Sequence, residues 1–569
     1  MKVESNIRPV NIKQIQQQNN NNNNKITIKA QPKQNTQTTP SFTGGFDLFL
    51  RFLDTNQAWG ANAVDLFCMV LPRTLTDFSR GPEAGTETLR REGMGTANHS
   101  MVGGYGTLAG LALATGINSL YGLKDKNDIK ASSIFADAET MDLYGKIYDN
   151  RLKAAVNNPN ANPLKESLND LLSKYEALQP DGSWKKLDKE HIDAVTPILE
   201  NEIKASTNKI SKAGELQLKT KLVSALGAEN NLRIIADEGQ KPHSSRYTVD
   251  YIIENAYKLG KIFTKDKVQE AFINSSDIAQ NAFLKAMKSM NVKRSLAGIG
   301  VASAFGISAQ PLNMYLTKKK TGKSGFVGGG EEDKSVKFKA LKTFVATLFG
   351  AGVLATIGNP KNLVKDLQFK GFTPTIKQFK FIYGITIMSR LLSSRNDNEL
   401  RESTIKDSLG FASWLILGNF IQKLVALGLD KSLIKNGGQG AMNWIKNSVL
   451  MSRDEVLHSS LKEKVFDKAG KALSYKEMVK LADKATKKKL NVLAIAQLAG
   501  YAYSALALGA GIPKLNIYIT NKLEAKKASK KAPEQADTQL ANAKTDMLQD
   551  TNREFLSQKQ FTGNKILAR

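Results

Sequence analysis

Cysteine is nearly missing from this chain of 569 residues. Cys68 alone excludes an intramolecular disulfide framework and leaves any zinc site short of thiolates. Four histidines, His99, His191, His243 and His458, stand singly, and no acidic cluster has calcium-loop spacing, so no metal is expected. Nucleotide loops are missing too. Gly322-Lys323-Ser324 has the ending of a phosphate loop, but Thr317 stands where its opening glycine belongs. Gly298-Ile299-Gly300 lacks the third glycine of a dinucleotide fingerprint, Ser303 taking that place. Lys320-Thr321-Gly322, with Ser459 and Lys462, imitates two boxes of serine penicillin-binding enzymes, but in reversed order. No catalytic residue and no cofactor is assigned. After Met1-Lys2-Val3-Glu4 no apolar run of signal-peptide length follows, so membrane insertion would use an internal segment.

Acidic residues are also in short supply, 53 against 81 Lys and Arg, which leaves a net charge of +28. The excess is local: Lys124 to Lys288 carries only +1, and the remaining +27 flanks long uncharged stretches. That is the arrangement of juxtamembrane segments drawn to anionic headgroups. Lysine outnumbers arginine 65 to 16. Base readout relies on bidentate Arg contacts, so a nucleic-acid partner is not favoured.

Along the chain the composition changes several times. Residues 1–40, with the run Asn19 to Asn24, hold too few apolar side chains to fold and are expected to be disordered. Residues 41–123 hold apolar helices around a polar island, and 124–290 read as a soluble α-helical insert with spacing such as Leu168, Leu171, Leu172 and Tyr175. Apolar helices return over 291–429, around a basic Gly-rich connector at 318–339, and a polar helical insert follows at 430–489. Residues 490–523 form the last apolar helix, and 524–569 a polar basic tail. Phe42-Thr43-Gly44 recurs as Phe561-Thr562-Gly563, a match short enough to arise by chance.

Four uncharged runs reach the length of a bilayer span or nearly so: Met101 to Leu123, Ser295 to Thr317, Thr343 to Pro360 and Leu490 to Pro513. Phe372 to Leu392 and Ser408 to Leu429 are weaker, broken by Lys377, Lys380 and Arg390 and by Lys423. Six alternating spans would give loop charges of +13 and +14 on the two sides, with no inside bias, whereas treating Thr343 to Pro360 as re-entrant gives +19 and +8. The sequence thus predicts an all-α helical membrane protein of about five to six apolar helices, with an inserted soluble helical domain and disordered termini. Its expected role is transport or membrane scaffolding, with the bilayer and anionic headgroups as partners. A mean hydropathy of −0.32 keeps open a soluble or peripheral Lys-rich protein that binds anionic lipid or nucleic acid.

The candidate functional cluster is the polar island and its neighbours: Asp65, Arg73, Asp77, Arg80, Glu87, Arg90, Arg91 and His99. On one helix the opposite charges at three- and four-residue spacing would pair, and if packed inside a membrane bundle they would mark a pathway or a switch. Asp65 stands amid Val64, Leu66, Phe67 and Cys68, and His99 opens the glycine-rich run. Gly106, Gly110 and Ala114 form a small-xxx-small face suited to helix packing, including contact with a second copy in a homo-oligomer.

Overall fold

The computed structural model describes residues 45–523, apart from 56, 80, 159, 236–241, 243–245, 323–331, 359 and 439, and a few residues beyond 523. The leader 1–40, both Phe-Thr-Gly triplets, the glycine triplet of the connector and most of the tail lie outside the described residues, apart from Gly44's neighbour Gly45 onward. The described residues are mostly helical, with a few short strands. Its first elements are α1 (Gly45–Thr55), α2 (Gln57–Val64), α3 (Leu71–Phe78) and α4 (Pro82–Leu120). A polar segment follows with α5 (Ala138–Val156), α6 (Pro163–Leu172), α7 (Lys189–Ala205), α8 (Lys212–Leu226), α9 (Val249–Phe263) and α10 (Asp266–Ile273). Then come α11 (Ala282–Thr321), α12 (Val336–Ile357), α13 (Leu363–Asp366), α14 (Ile376–Leu392), α15 (Asp397–Ala412) and α16 (Gly418–Leu429). The last are α17 (Ala441–Asn447), α18 (Arg453–Leu461), α19 (Tyr475–Leu481) and α20 (Lys484–Ser504). Turns of π-helix at Asp65–Val70, Ser413–Leu417 and Ala505–Gly511 carry α2 into α3, α15 into α16, and α20 onward.

The long helices start and stop where side chains satisfy their end groups. Asn281 and Ser335 accept the N–H groups of Leu284 and Phe338 at the starts of α11 and α12, and Thr375 with Gln378 makes a capping box at α14. Lys318, Lys319 and Lys320 occupy the last turn of α11, where cations suit the carbonyl end of the dipole, before Gly322 ends it at φ +71°. By length and composition five helical stretches could cross a membrane: Pro82–Leu120, Ala282–Lys320, Val336–Ile357, Asp397–Leu429 and Lys484–Leu523.

Seven helical segments run side by side with their ends sorted into two sets. At one end Arg90 of α4 reaches Asn313 and Thr317 of α11, Lys342 of α12 reaches the Ser394 carbonyl, and Thr520 hydrogen-bonds to Glu402. At the other, Lys365 pairs with Glu139 and the Ala138 N–H donates to Gln368, and α1 joins α18 through Arg51 and Asp454. The α12–α14 pair is antiparallel throughout, Gly350 lying against Met388 and Lys380 bonding the Thr356 carbonyl. Thr343 to Pro360 thus belongs, as far as Ile357, to an unbroken helix that pairs with α14 along its length.

At the second end, residues from Ala114 to Met290 share one apolar core. The helical spacing expected through Tyr175 stops at Leu172, because Tyr175–Leu178 forms β1, flanked by β2 (Trp184–Lys186) and β3 (Leu232–Ile234) in an antiparallel sheet of order β2-β1-β3. The segment 430–489 packs onto it. The Asn436 N–H donates to the Pro180 carbonyl, Ser452 donates to Glu229, and Glu455 accepts from the Glu229 N–H at 2.7 Å.

That junction buries several ionisable groups, and two carboxyls compete. Burial would raise Asp454, but the Arg51 guanidinium, at 2.8 and 2.5 Å, holds it below the ordinary carboxylate range. Glu229 is instead pushed up to about 7, first by burial and then by the Asp454 charge, against the pull of Lys219 at 2.7 Å. An acid whose folded-state pKa exceeds its unfolded value of 4.5 retains a proton in the fold. Stability should therefore fall as pH rises from about 4.5 to about 7 and level off above that. The expected result is that this slope in the melting temperature is lost in Glu229→Gln; an unchanged slope would place the proton elsewhere.

Candidate functional site

The polar island is not one helix. α3 ends at Ser79, the chain turns at Gly81 with φ +144°, and Pro82 opens α4, so Arg73 and Asp77 face α4 across an antiparallel pair. Gly85 makes this possible, since a Cβ there would lie 2.3 Å from the Phe78 ring. Several of these side chains have partners across helices. Asp77 accepts from Thr88 at 2.5 Å, and Arg90 takes Asn313 at 2.6 Å and Thr317 at 2.8 Å. Glu87 is half-buried, and Arg80 lies outside the described residues.

The hub of the site is Glu92, which the sequence reading passed over. Its carboxylate is buried with Arg91 at 3.1 Å, Arg390 at 3.3 Å, Lys406 at 3.5 Å and Arg73 at 3.7 Å. Asp407 holds the other arm of Arg390 at 3.3 Å. Four cations thus share two carboxylates, at a depth where removing a partner is costly. The signal for Arg390 was present: it is the one arginine within the run Phe372 to Leu392, although as an interruption it counted only against a span.

Three π turns assemble around this hub, and turns of this kind leave carbonyls for side chains to bind. Arg73 donates to the Leu508 carbonyl at 3.2 Å, inside the third turn. Trp414 donates to the Ala61 carbonyl at 3.0 Å and Cys68 to the Tyr501 carbonyl at 3.7 Å, each four residues ahead of a π turn. Asp65 lies in the first turn, 1% exposed, and accepts from Thr96 at 2.6 Å. One helical turn beyond Thr96, His99 is likewise 1% exposed and sits among Tyr383, Phe379 and Trp414 at ring distances of 5.3, 5.9 and 6.2 Å. Asp65, Arg73, Arg91 and His99 of the expected cluster are therefore brought into one interior region.

Further along α4 the small face is filled by this same chain. A Cβ on Gly106 would meet Phe369 at 2.4 Å, one on Gly298 would meet the Gly106 backbone at 2.9 Å, and Gly110 lies against Arg294. Ala114 is fully buried in the core at the second end. This helix-packing face is occupied by α11 and the segment that follows α13. Arg294 itself is fully buried without a carboxylate: it donates to the Ser132 carbonyl at 2.8 Å, the Ile134 carbonyl and Asn291, over the Phe135 ring at 4.0 Å. It fastens the start of the 124–290 segment to α11. Among the described residues no group of three or more His, Cys, Asp or Glu could hold a metal ion. No family model, no curated protein and no solved structure matches the chain.

Proposed function

We propose that the protein is an integral membrane protein whose bundle lies in the bilayer and serves transport, with the segments 124–290 and 430–489 together on one side. What carries this reading is the location of the exposed large apolar side chains. They recur on all five long apolar stretches: Met101, Leu108 and Leu111; Phe305 and Leu312; Phe344 and Leu348; Leu424 and Leu427; Leu506 and Leu515. Soluble monomers seldom leave large apolar patches uncovered. In a bilayer such faces meet their ordinary solvent, and helices satisfy their own backbone groups.

The two sets of helix ends then imply seven crossings, the five long stretches plus α2–α3 and α14. Counted between the uncharged runs, the linking segments 124–294, 361–380 and 430–489 carry +3, +4 and +7, against 0, +5 and 0 for 73–92, 318–342 and 390–407, a bias that supports a cytoplasmic position for the inserts. The lysines at the helix ends suit anionic headgroups. Transport is favoured over scaffolding by the interior, since ionisable groups inside a membrane bundle are costly and generally mark a path.

Two measurements test this reading. The chain should stay with membranes after carbonate washing, and full release would sink the idea. Lys209→Cys and Lys468→Cys should react with an impermeant maleimide from the same side, and Lys334→Cys from the opposite side. Labelling of the first two from different sides would refute the seven-crossing arrangement.

A further inference from the structure

We propose that Asp65 and His99 form a proton-binding site inside the bundle, loaded from the end where Glu92 sits; the proposal rests on the transport reading above and names the proton as its coupling ion. Both side chains are 1% exposed. Asp65 uses one carboxylate oxygen to accept from Thr96, and its other oxygen has no hydrogen-bond partner among the described residues. Neither ring nitrogen of His99 has one. A buried polar atom left without a partner costs about 1–3 kcal/mol, so two such groups on facing helices call for something that bonds to both. Metal chemistry lacks a third ligand here. A proton on Asp65, with water between the two helices to bond the remaining atoms, meets the need of each group.

The geometry orders the site. Glu92, Thr96 and His99 lie along one face of α4, at spacings of four and three residues, roughly 10 Å from first to last. α2–α3 runs antiparallel to α4 with Asp65 at the level of Thr96, so Asn62, whose Oδ1 also lacks a partner, stands near the level of His99. Beyond His99 the face closes at Gly103 and Gly106 against Phe372 and Phe369. Access is therefore from the Glu92 end. The charged and titratable groups around the pair are Glu92 from α4, Arg73 from α3, Arg390 and Tyr383 from α14, Lys406 and Asp407 from α15, and Cys68 from the π turn. In the step itself a proton leaves water and neutralises the Asp65 carboxylate, while the neutral imidazole of His99 offers one N–H and one bare ring nitrogen to the water that carries the proton. No electron or bond to carbon is involved.

A lipid-soluble carbodiimide, which attacks only protonated carboxyls, tests the site on the full chain in liposomes, with the modified residue read by mass spectrometry. Asp65 should be labelled, and labelling should fall as pH rises. His99→Leu removes the ring that donates through water to the ionised carboxylate and should move the midpoint up by about one pH unit, tenfold in proton affinity, whereas His99→Gln, which keeps a donor, should shift it less. Asp65→Asn should abolish labelling while the chain still floats with liposomes. Labelling of Glu92 in place of Asp65, labelling independent of pH, or an unmoved midpoint in His99→Leu would each overturn the proposal. Release of the chain by carbonate would end the membrane reading alone, because labelling is read on the folded chain either way.

Discussion

Glu92→Gln is expected to lower the stability of the folded chain by about 3–5 kcal/mol, the cost of removing one partner from a buried ionic network. Glutamine keeps the size of the side chain, so the effect reports charge. Arg73, Arg91, Arg390 and Lys406 all lie within 4 Å of this carboxylate, so its loss leaves four cations together without their shared charge. Thermal unfolding of the solubilised chain is the measurement. Arg151→Ala supplies the scale: its pairs with Glu166 and Asp170 are more than a third exposed, so its loss should cost no more than about 1 kcal/mol. Lys406→Met in the Glu92→Gln background should recover part of the loss by removing one surplus cation. Equal melting temperatures for Glu92→Gln and Arg151→Ala would mean that the cluster is hydrated and its charges screened.

The second large effect is expected from a single methyl group. At Gly103 a Cβ would lie 1.8 Å from the carbonyl oxygen of Phe372, a backbone atom that cannot rotate away. Gly103→Ala should therefore cost about 3 kcal/mol, the upper part of the overpacking range. One residue on, a Cβ at Gly104 would meet only the end of the Met101 side chain at 3.6 Å. Gly104→Ala should be neutral or stabilising by about 0.5–1 kcal/mol, since glycine is the poorer helix former. Melting temperatures of the two variants decide the matter, and a reversed order would mean that the 363–375 segment does not wedge between α4 and α11.

Much of the helical architecture was legible because an uncharged run of 18 to 24 residues has few alternatives to a long helix. What interrupted those runs was harder to interpret. Asp65, Arg73 and Asp77 hid the continuous helix from Gln57 to Phe78, and Lys377, Lys380 and Arg390 weakened α14. These charges are tolerated because partners distant in sequence meet them, 298 residues away in the case of Glu92 and Arg390. Local spacing carries no trace of such a partner. It pointed instead to neighbours at three- and four-residue spacing on one continuous helix, whereas the chain turns at Gly81. Tyr175 illustrates the same limit: its place in a helical apolar pattern was real, but the strand it begins is set by pairing with Ile234, 59 positions on. Asp65 stood out because its neighbours are apolar, whereas His99, between Asn98 and Ser100, stood out only as opening the glycine-rich run.

The clasp between α1 and α18 has a consequence for biosynthesis. Asp47 and Arg51 bind Arg453, Asp454 and Tyr475, across separations of 403 to 428 residues. At a translation rate of roughly 5–20 residues per second, the first helix waits roughly 20–80 s for its partners to leave the ribosome. Throughout that interval Asp47, buried in the finished fold, lacks the Arg453 and Tyr475 that hold it. A chain truncated before residue 453 would leave that carboxylate as an exposed mark of incomplete synthesis.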